Sequence, residues 1–287
     1  MADNTASTKA MRLGAALRSA REDRGISLSQ FAPQVELSKS QLSRIENGHT
    51  LPKEHELGRI LSRLEVKGDR YDEIVGLLDG ADATSWVATT LADQAVQHAA
   101  FIDFEAKAGT ITEVAPNLLP GLTQIRAYVS AIMSSGSTVP PEEIGTRVAT
   151  RLGRRDVISP EERPDPARFV AFLGKAAITQ VIGDTEGMIQ QLAHLLKISA
   201  WENVEIRVMS TVGWHPGLES AFTLIDPREP QGTPIVFLEN RRSGQILHIE
   251  EDIAAYRDAV TLIMQAAMSR EESAELIADV IKGMRTG

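Results

Sequence analysis

The sequence predicts an all-α domain of five short helices followed by an α+β domain with a small, mostly antiparallel sheet. Up to residue 80, apolar side chains recur at helical spacing, and Gly or Pro separates the segments. From Ala99 onward, apolar runs of strand length alternate with amphipathic segments. We therefore divide the 287 residues into a helical domain at 1–80, a connecting helix or linker at 81–105, and an α+β domain at 106–287.

Two helices open the chain. The first has apolar residues at i, i+3, i+4 and i+7, the spacing of one buried helix face: Leu13, Ala16, Leu17 and Ala20. Gly25 ends this helix, and Ser27 opens a second one with the same pattern in Leu28, Phe31, Ala32 and Val35. Pro33 lies inside the second helix, where it removes a hydrogen bond, so we expect that helix to be short or kinked.

The third predicted helix lies between Ser38, a good N-cap, and Gly48, a good residue to end a helix. At about 100° per residue, its polar side chains share an arc of roughly 140°: Lys39, Ser40, Ser43, Arg44 and Asn47. Leu42 and Ile45 lie on the opposite side, with Gln41. One face can therefore be buried while the other offers donors to bases and phosphates, as a recognition helix in the DNA major groove requires.

Two more helices complete the first domain. Pro52 starts the fourth, which is predicted to bury Leu57, Ile60, Leu61 and Leu64. The fifth starts at Asp69 and is predicted to bury Tyr71, Ile74, Val75 and Leu78. Short helices at this spacing make a compact all-α module.

The segment Ser38-x-x-x-Leu-Ser-Arg-Ile-Glu-Asn-Gly48 closely resembles the helix-turn-helix of the Cro and phage-repressor (Xre-type) family. The resemblance implies a lambda-repressor-like domain with a DNA-binding surface, which we carry over by position. Base edges would be contacted by Lys39, Ser40 and Arg44, with Gln41 and Ser43 at the margin. The implied surface is completed by Gln30, Lys53, Asn47 and the Gly48 amide, the last two approaching phosphate.

Four further residues bear on this resemblance. Arg21 and Glu46 match an ion pair between helices 1 and 3 in the family. Leu28 stands where Gln is usual, so one phosphate contact would be missing. Glu36 stands where the turn usually has Gly, and it would be strained if its φ is positive.

Charge is unevenly distributed along the chain. Residues 1–64 hold 10 Lys and Arg and 7 Asp and Glu, a net +3, whereas the whole chain has a net charge of −9. A basic head on an acidic body fits DNA contact confined to one end and weak non-specific affinity. The overall charge argues against a protein that simply coats nucleic acid.

Composition and motifs exclude several chemistries. The chain has no Cys, which excludes disulfides, thiolate metal ligands and Cys nucleophiles. Its six His are never at metal-ligand spacing, and no P-loop, Gly-x-Gly-x-x-Gly or Gly-x-Ser-x-Gly motif occurs. We therefore expect no metal, no cofactor and no enzymatic activity. Because there is no secretory signal and no run of about 18 apolar residues, we also expect a cytoplasmic protein without a membrane partner.

The second domain alternates strands with helices. Strands are predicted at 168–173, 204–210, 221–226, 234–239 and 245–250. Short links, at Pro227 to Gly232 and at Ser243-Gly244, favour antiparallel hairpins between the last three. Helices are predicted at 123–133, 142–156, 185–197, 253–268 and 271–284. The last opens with Ser269-Arg-Glu-Glu272, a capping-box pattern.

This second half is also similar to a known group. Asn117-Leu-Leu-Pro-Gly-Leu-Thr-Gln-Ile-Arg-Ala-Tyr128 resembles a segment of large Xre-type regulators from actinobacteria, and further matches follow in order along the chain. The resemblance implies a DNA-binding regulator of development or antibiotic production. It implies no settled ligand for the second domain, but a small protein encoded by a neighbouring gene is a candidate partner. Gly174-Lys175 departs from the acidic pair that is usual in the group.

Two features of the second domain are candidate effector or partner sites. Arg147, Arg151, Arg154 and Arg155 are spaced so that they can share a helix face. They form either an anion or acidic-partner site, or a solvated face paired with Glu142, Glu143 and Asp156. Trp214 and His215 lie in a Gly-flanked loop between two strands. There Trp214 either rims an effector pocket or caps the core.

We expect a sequence-specific transcription regulator, such as a repressor, that is controlled through its second domain by a small partner protein or a ligand. A homodimer on an inverted repeat of double-stranded DNA would place its recognition helices about 34 Å apart. Two alternatives stay open. One is an antitoxin-like protein that sequesters a small partner and autoregulates its promoter. The other is a metabolite- or nucleotide-processing enzyme with a DNA-targeting head. Asp226, Glu239 and Glu250 end predicted strands, and they either gather as catalytic carboxylates do or are solvated strand ends.

Overall fold

A computed structural model of the protein describes residues 8–79, 85–87, 91–135, 140–240 and 243–286. The chain divides into two compact units, which we call the first and the second unit. The first unit is Met1–Asp103 with Thr233–Ile253, and the second is Phe104–Gly232 with Ala254–Gly287. Residues 81–84 and 88–90 of the predicted linker lie outside the described part of the chain.

The described residues form the following elements, numbered in chain order. The helices are α1 Thr8–Glu22, α2 Leu28–Phe31, α3 Lys39–Glu46, α4 Glu54–Arg63, α5 Asp69–Asp79, α6 Leu91–Ala106, α7 Arg126–Ser134, α8 Pro141–Gly153, α9 Lys175–Thr179, α10 Thr185–Ile198, α11 Glu250–Ala266 and α12 Arg270–Thr286. The strands are β1 Ser85–Val87, β2 Ala108–Ala115, β3 Arg168–Leu173, β4 Val204–Val208, β5 Phe222–Pro227, β6 Ile235–Asn240 and β7 Ser243–Leu247.

Helices α1 to α5 pack around one apolar core in the first unit. Its side chains come from the predicted helix faces and include Leu13, Leu17, Phe31, Leu42 and Ile60. Tyr71 is a correction, because it lies in the first turn of α5 and its side chain is 39% exposed. Ile74, one turn later, supplies the buried contact. The Leu78 side chain lies outside what the structure describes.

The second helix is short, as the position of Pro33 predicts. After a capping box between Ser27 and Gln30, α2 covers four residues, and the chain continues as a 3-10 turn over Ala32–Val35. Glu36 follows with a φ of 55°, a left-handed conformation that costs a residue with a side chain more than it costs Gly. The turn is nevertheless tied to the helix, since the Leu37 N–H donates to the Ala32 carbonyl over 3.1 Å.

Three strands also belong to the first unit. β6 and β7 form the predicted antiparallel hairpin, and β7 pairs antiparallel with β1. Ser243 and Gly244 were predicted as the turn of this hairpin, but both lie in β7, and the link at 241–242 is outside the described residues. Helix α6 contacts the hairpin through Phe101, whose ring stacks on Phe237 with centroids 4.3 Å apart.

The second unit contains four strands in the order β5-β2-β3-β4. β2 pairs antiparallel with β5, but β2 with β3 and β3 with β4 are parallel. The prediction of a mostly antiparallel sheet is therefore wrong, and the pairing is mixed. Parallel neighbours need long crossover connections. Helices α7 and α8 provide one between β2 and β3, and α9 and α10 provide the next.

The predicted helices of the second half correspond to α7, α8, α10, α11 and α12. The capping box of α12 is confirmed, with the Ser269 N–H donating to Glu272 over 2.8 Å and the Glu272 N–H donating to Ser269 Oγ over 3.1 Å. Hydrogen bonds from the backbone and the side chain of Ser269 to the carboxylate lower the pKa of Glu272. No helix among the described residues is both long enough and apolar enough to cross a membrane.

The segment 117–128 supports the fold of the second unit. Tyr128 is buried, and its hydroxyl accepts the Leu119 N–H over 3.3 Å. The fully buried Gln191 of α10 accepts the Ile125 N–H over 2.7 Å and donates to the Thr123 carbonyl over 2.8 Å. Burial raises the pKa of Tyr128, so it stays a neutral hydroxyl. These groups satisfy buried backbone polar atoms that would otherwise be unpaired.

Candidate nucleic-acid interface

Helix α3 is fixed at its N-terminus by a reciprocal cap. The Gln41 N–H donates to Ser38 Oγ over 3.1 Å, and the Ser38 N–H donates to Gln41 Oε1 over 2.9 Å. Gln41 was predicted at the margin of the base-contacting surface, and its carbonyl oxygen is used by the cap. Its exposed Nε2 group remains available as a donor.

The two faces of α3 differ in burial as the helical wheel predicts. Leu42 and Ile45 are 0% and 4% exposed, whereas Lys39, Ser40 and Arg44 are exposed. Neither the Lys39 ammonium nor the Arg44 guanidinium forms a hydrogen bond or an ion pair with the residues that the structure describes. The outward face therefore presents two uncompensated cations on a rigid helix, as base-edge and phosphate contacts require.

Gln30 and Lys53 are also exposed. Gln30 Oε1 accepts hydrogen bonds from the backbone and the hydroxyl of Ser27, over 3.1 and 2.7 Å. The Lys53 N–H donates to Glu56 over 2.8 Å at the start of α4. Both residues therefore act as caps through one group and keep a side-chain donor exposed.

Arg21 and Glu46, the predicted ion pair, are paired in the structure. Arg21 Nε and Nη2 lie 2.8 and 2.7 Å from the two carboxylate oxygens of Glu46, and the Arg21 Nη1 donates to the Ile26 carbonyl over 2.7 Å. The side chains are only 8% and 1% exposed. The hydrogen bond to Glu46 raises the pKa of Arg21. This pair fastens α3 to α1 from the buried side of the recognition helix.

Arg18 is a residue of this network that the sequence analysis missed. It lies one turn before Arg21 on α1, donates to the Glu46 carbonyl over 3.2 Å and to the Asn47 side chain, and lies 2.5 Å from Asp103. Its spacing of three residues from Arg21 was the available signal. Asn47 also donates to Ser43 Oγ over 3.1 Å. Asn47 and Ser43, both half-buried, therefore serve the end of α3 within the protein itself.

Gly48 has a packing role that differs from the predicted phosphate contact. Its φ is +71°, and a Cβ there would lie 2.6 Å from the Met11 Cα. Its amide is buried and already donates to the Ile45 carbonyl over 3.0 Å. The N–H is therefore used within the protein, and its predicted contact with phosphate stays a prediction.

The four arginines of the second half do not share one helix face. α8 ends at Gly153, so Arg147 and Arg151 lie on the helix and Arg154 and Arg155 on the 3-10 turn Arg154–Val157 that follows. Arg147 pairs on the surface with Glu143 over 2.8 Å, as the solvated-face alternative predicts. Arg151 lies 3.5 Å from Gln124.

Arg154 and Arg155 differ sharply despite being neighbours. Arg154 forms two hydrogen bonds of 2.7 and 2.8 Å with Glu105, whose side chain is 2% exposed. Burial raises the pKa of Glu105, and Arg154 opposes that shift. Arg155 instead lines a cavity and has no hydrogen bond or ion pair with the described residues. Arg154 is therefore structural, and Arg155 alone of the two is available to a ligand.

The side chains of Trp214 and His215 lie in different surroundings. Trp214 is 69% exposed, so the alternative in which it caps the core is wrong. His215 is the buried ring, at 2% exposed, and its Nε2 donates to the Ser210 carbonyl over 3.1 Å. Val212 and Leu218 are exposed in the same loop as Trp214.

The described part of the chain contains no candidate metal site, and one of the three predicted strand-end carboxylates is paired with an arginine. No group of three or more His, Asp and Glu there could hold a metal ion. Asp226, one of the three predicted strand-end carboxylates, pairs with Arg257.

A capped, half-buried third helix with exposed cations on its outer face, following a short second helix, is typical of a helix-turn-helix DNA-binding domain. Comparison with known families agrees, since residues 12–74 match a helix-turn-helix domain. Residues 98–279, more than half of the chain, match a domain of unknown function, DUF5753. The chain therefore belongs to the DUF5753 family. A search of curated proteins found no relative of the chain.

Proposed function

We propose that the protein is a sequence-specific transcription regulator of the Xre type that binds an inverted-repeat operator as a homodimer. The observation that supports this proposal is the outer face of α3. There Lys39 and Arg44 are exposed and form no hydrogen bond or ion pair with the described residues, while Leu42 and Ile45 anchor the helix. The protein acts by binding, without catalysis, and its second unit receives the controlling signal.

Within this surface, Arg44 reads a base and Lys39 and Ser40 flank it. A guanidinium that donates to two acceptors of guanine contributes about 1–3 kcal/mol of discrimination. Lys53 and Gln30 add contacts to the DNA backbone. Asn47 and Gly48 hold the end of α3 and are left out of the proposed DNA contacts, because their polar groups are used within the protein.

The test is binding of the purified full chain to DNA from upstream of its own gene and to scrambled DNA of equal length, at two salt concentrations. We expect specific binding that persists at the higher salt, because base contacts are less salt-sensitive than phosphate contacts. Arg44→Ala should weaken binding to the specific DNA about 10- to 100-fold and leave the scrambled DNA nearly unaffected. Arg147→Ala, an exposed arginine of the second unit, is the matched control.

Equal losses on both DNAs would make Arg44 a phosphate contact and remove its assignment as the specificity residue. Absence of any discrimination by the unmodified chain would contradict the proposed function itself.

An antitoxin-like role is the second candidate, and one observation favours it. Val212, Trp214 and Leu218 are 83%, 69% and 56% exposed in one loop, an arrangement typical of surfaces that bind a protein. Co-purification of a small protein in stoichiometric amount, lost in Trp214→Ser, would favour this role. A chain that purifies alone and represses its promoter unaided would contradict it.

A further inference from the structure

A cavity of about 190 Å³ lies in the second unit between the end of α8, with the 3-10 turn after it, and the end of α10. A cavity measured with a water-sized probe holds one water molecule at about 10–15 Å³. A volume of about 190 Å³ therefore accommodates a compact small molecule. Its apolar lining comes from Leu122, Leu152, Ile158, Ile198 and Trp201.

Helix α10 places two nitrogen groups and an apolar wall on one side of this cavity. His194, Lys197 and Ile198 are three and four residues apart, so they share a helix face. Trp201 continues this face in the turn after the helix, where its N–H donates to the Ile198 carbonyl over 3.0 Å. Arg155 lines the same cavity from the 3-10 turn.

His194 presents an unsatisfied polar atom here. Its Nε2 is buried and has no hydrogen-bond partner among the described residues. Burial, and then the charges of Arg155 and Lys197, lower the pKa of His194 to about 4, so the ring is neutral at pH 7. A buried ring nitrogen without a hydrogen-bond partner is energetically unfavourable. A ligand with an acceptor or a donor at this point would satisfy it.

Charged side chains of both signs line the cavity, two cations and three carboxylates. Arg155 is half-buried and forms no ion pair with the described residues. Lys197 has only a 3.9 Å contact with Glu161, in which both side chains are largely exposed. Asp156, Glu161 and Glu162 also line the cavity, but all three are exposed to solvent at its rim. The two groups whose charges act on His194 are both cations.

We propose that this cavity binds a small organic anion, a carboxylate or a phosphate monoester with an apolar or aromatic body. Arg155 supplies a planar fork that matches either anion with two hydrogen bonds, and Lys197 adds a point charge. The His194 Nε2 donates the third hydrogen bond, and Trp201 packs against the apolar body. The regulatory role of this anion rests on the proposed function. Its binding to the cavity is independent of the proposed function.

The experiment uses the full chain without DNA, with benzoate and phenyl phosphate as anionic probes and benzyl alcohol as the neutral control. The chain has three Trp, so Trp86→Phe with Trp214→Phe leaves Trp201 as the reporter. We expect a saturable change in Trp201 emission with at least one anion and none with benzyl alcohol at equal concentration. The anion with the lower Kd identifies the carboxylate or the phosphate as the preferred group.

Arg155→Gln should raise the Kd at least tenfold, and His194→Leu should raise it as well. Arg147→Gln, which removes an arginine paired on the surface, is the matched control and should bind like the parent. Far-UV circular dichroism and the Tm show that each variant is folded. Should Arg155→Gln fail to fold, Lys197→Gln replaces it, since that side chain is exposed.

An equal response to benzyl alcohol, or anion binding unchanged in the folded arginine variant, would overturn the proposal. So would the absence of saturable binding to either anion. Operator binding is measured separately, so a chain that binds DNA but no anion refutes the cavity assignment alone. A chain that binds the anion but no specific DNA refutes the proposed regulator and leaves the cavity assignment in place.

Discussion

Arg21 on α1 holds Glu46, the last residue of α3, through two parallel N–H···O hydrogen bonds of 2.8 and 2.7 Å, with both side chains buried. A buried pair of this kind contributes less to net stability than to geometry, but removing one partner leaves an uncompensated charge. The pair thereby fixes α3 to α1 through the buried side of α3, and the exposed Lys39 and Arg44 form no ion pair with the described residues.

Glu46→Gln should therefore lower the free energy of unfolding of the helix-turn-helix region by about 3 kcal/mol, because Arg21 would remain charged and buried. Urea unfolding followed by circular dichroism measures the loss. The matched control is Glu143→Gln, which breaks the exposed pair with Arg147 and should cost at most about 0.5 kcal/mol. Equal and small effects in both variants would show that the buried pair is dispensable.

Gly48 should be intolerant of any side chain. Gly48→Ala combines a left-handed backbone with a Cβ only 2.6 Å from the Met11 Cα. We expect a loss of about 3 kcal/mol in the free energy of unfolding. Gly25→Ala is the control, since its φ is +65° but no atom lies within 4 Å of the added Cβ, and it should lose about 1 kcal/mol.

The same pair of variants separates packing from DNA contact at this position. If Gly48 serves packing, the Gly48→Ala chain that remains folded at low temperature should bind operator DNA nearly as well as the parent. A fully folded variant that has lost DNA affinity would restore the phosphate contact that the sequence implied.

Arg154 and Arg155 provide a third test, because neighbouring arginines have opposite roles. Arg154→Gln should lower the stability of the second unit by about 3 kcal/mol, since Glu105 would keep its buried position without a cation. Arg155→Gln should change stability by no more than about 0.5 kcal/mol, since it forms no ion pair with the described residues. Thermal unfolding of the two variants side by side checks the contrast, and equal Tm values would contradict it.

The sequence predicts local features better than pairing. The amphipathic face of α3 follows from Leu42, Ile45 and the helical period, and the short second helix follows from Pro33. β2 was not predicted, because its sequence AGTITEVA carries few large apolar residues. Parallel pairing could not be predicted from the sequence either, because it depends on which strands become neighbours in the folded sheet.

The candidate sites show the same division. Lys39 and Arg44 were identified because they lie on one helix with the cap and the apolar residues that orient it. The cavity was not predicted from the sequence, because Arg155 and His194 come from separate elements and only the tertiary fold brings them together. The four arginines do not share one helix face for a local reason, the end of α8 at Gly153.

His194 should make the unliganded protein sensitive to acid. Its folded pKa of about 4 lies below the ordinary value of 6.5, so the unfolded chain binds the proton more readily. Stability from this residue is fully present above pH 6.5 and is lost as the pH falls from there toward 4. Burial of the ring is the main cause of the lowered pKa, and the charges of Arg155 and Lys197 add to it. The carboxylates of Asp156, Glu161 and Glu162 also line the cavity, at its rim. After allowance for solvent screening we expect a loss of about 1 kcal/mol.

The measurement is the free energy of unfolding between pH 7 and 4 for the parent and for His194→Leu, with His55→Leu as the control at an exposed histidine of α4. The His194 variant should lose less stability over this interval than the parent, because it has no ring to protonate. His55→Leu should follow the parent. If the parent and the His194 variant lose stability in parallel, the ring is not held neutral by its surroundings, and His194 would lose its assignment as a neutral donor in the proposed cavity.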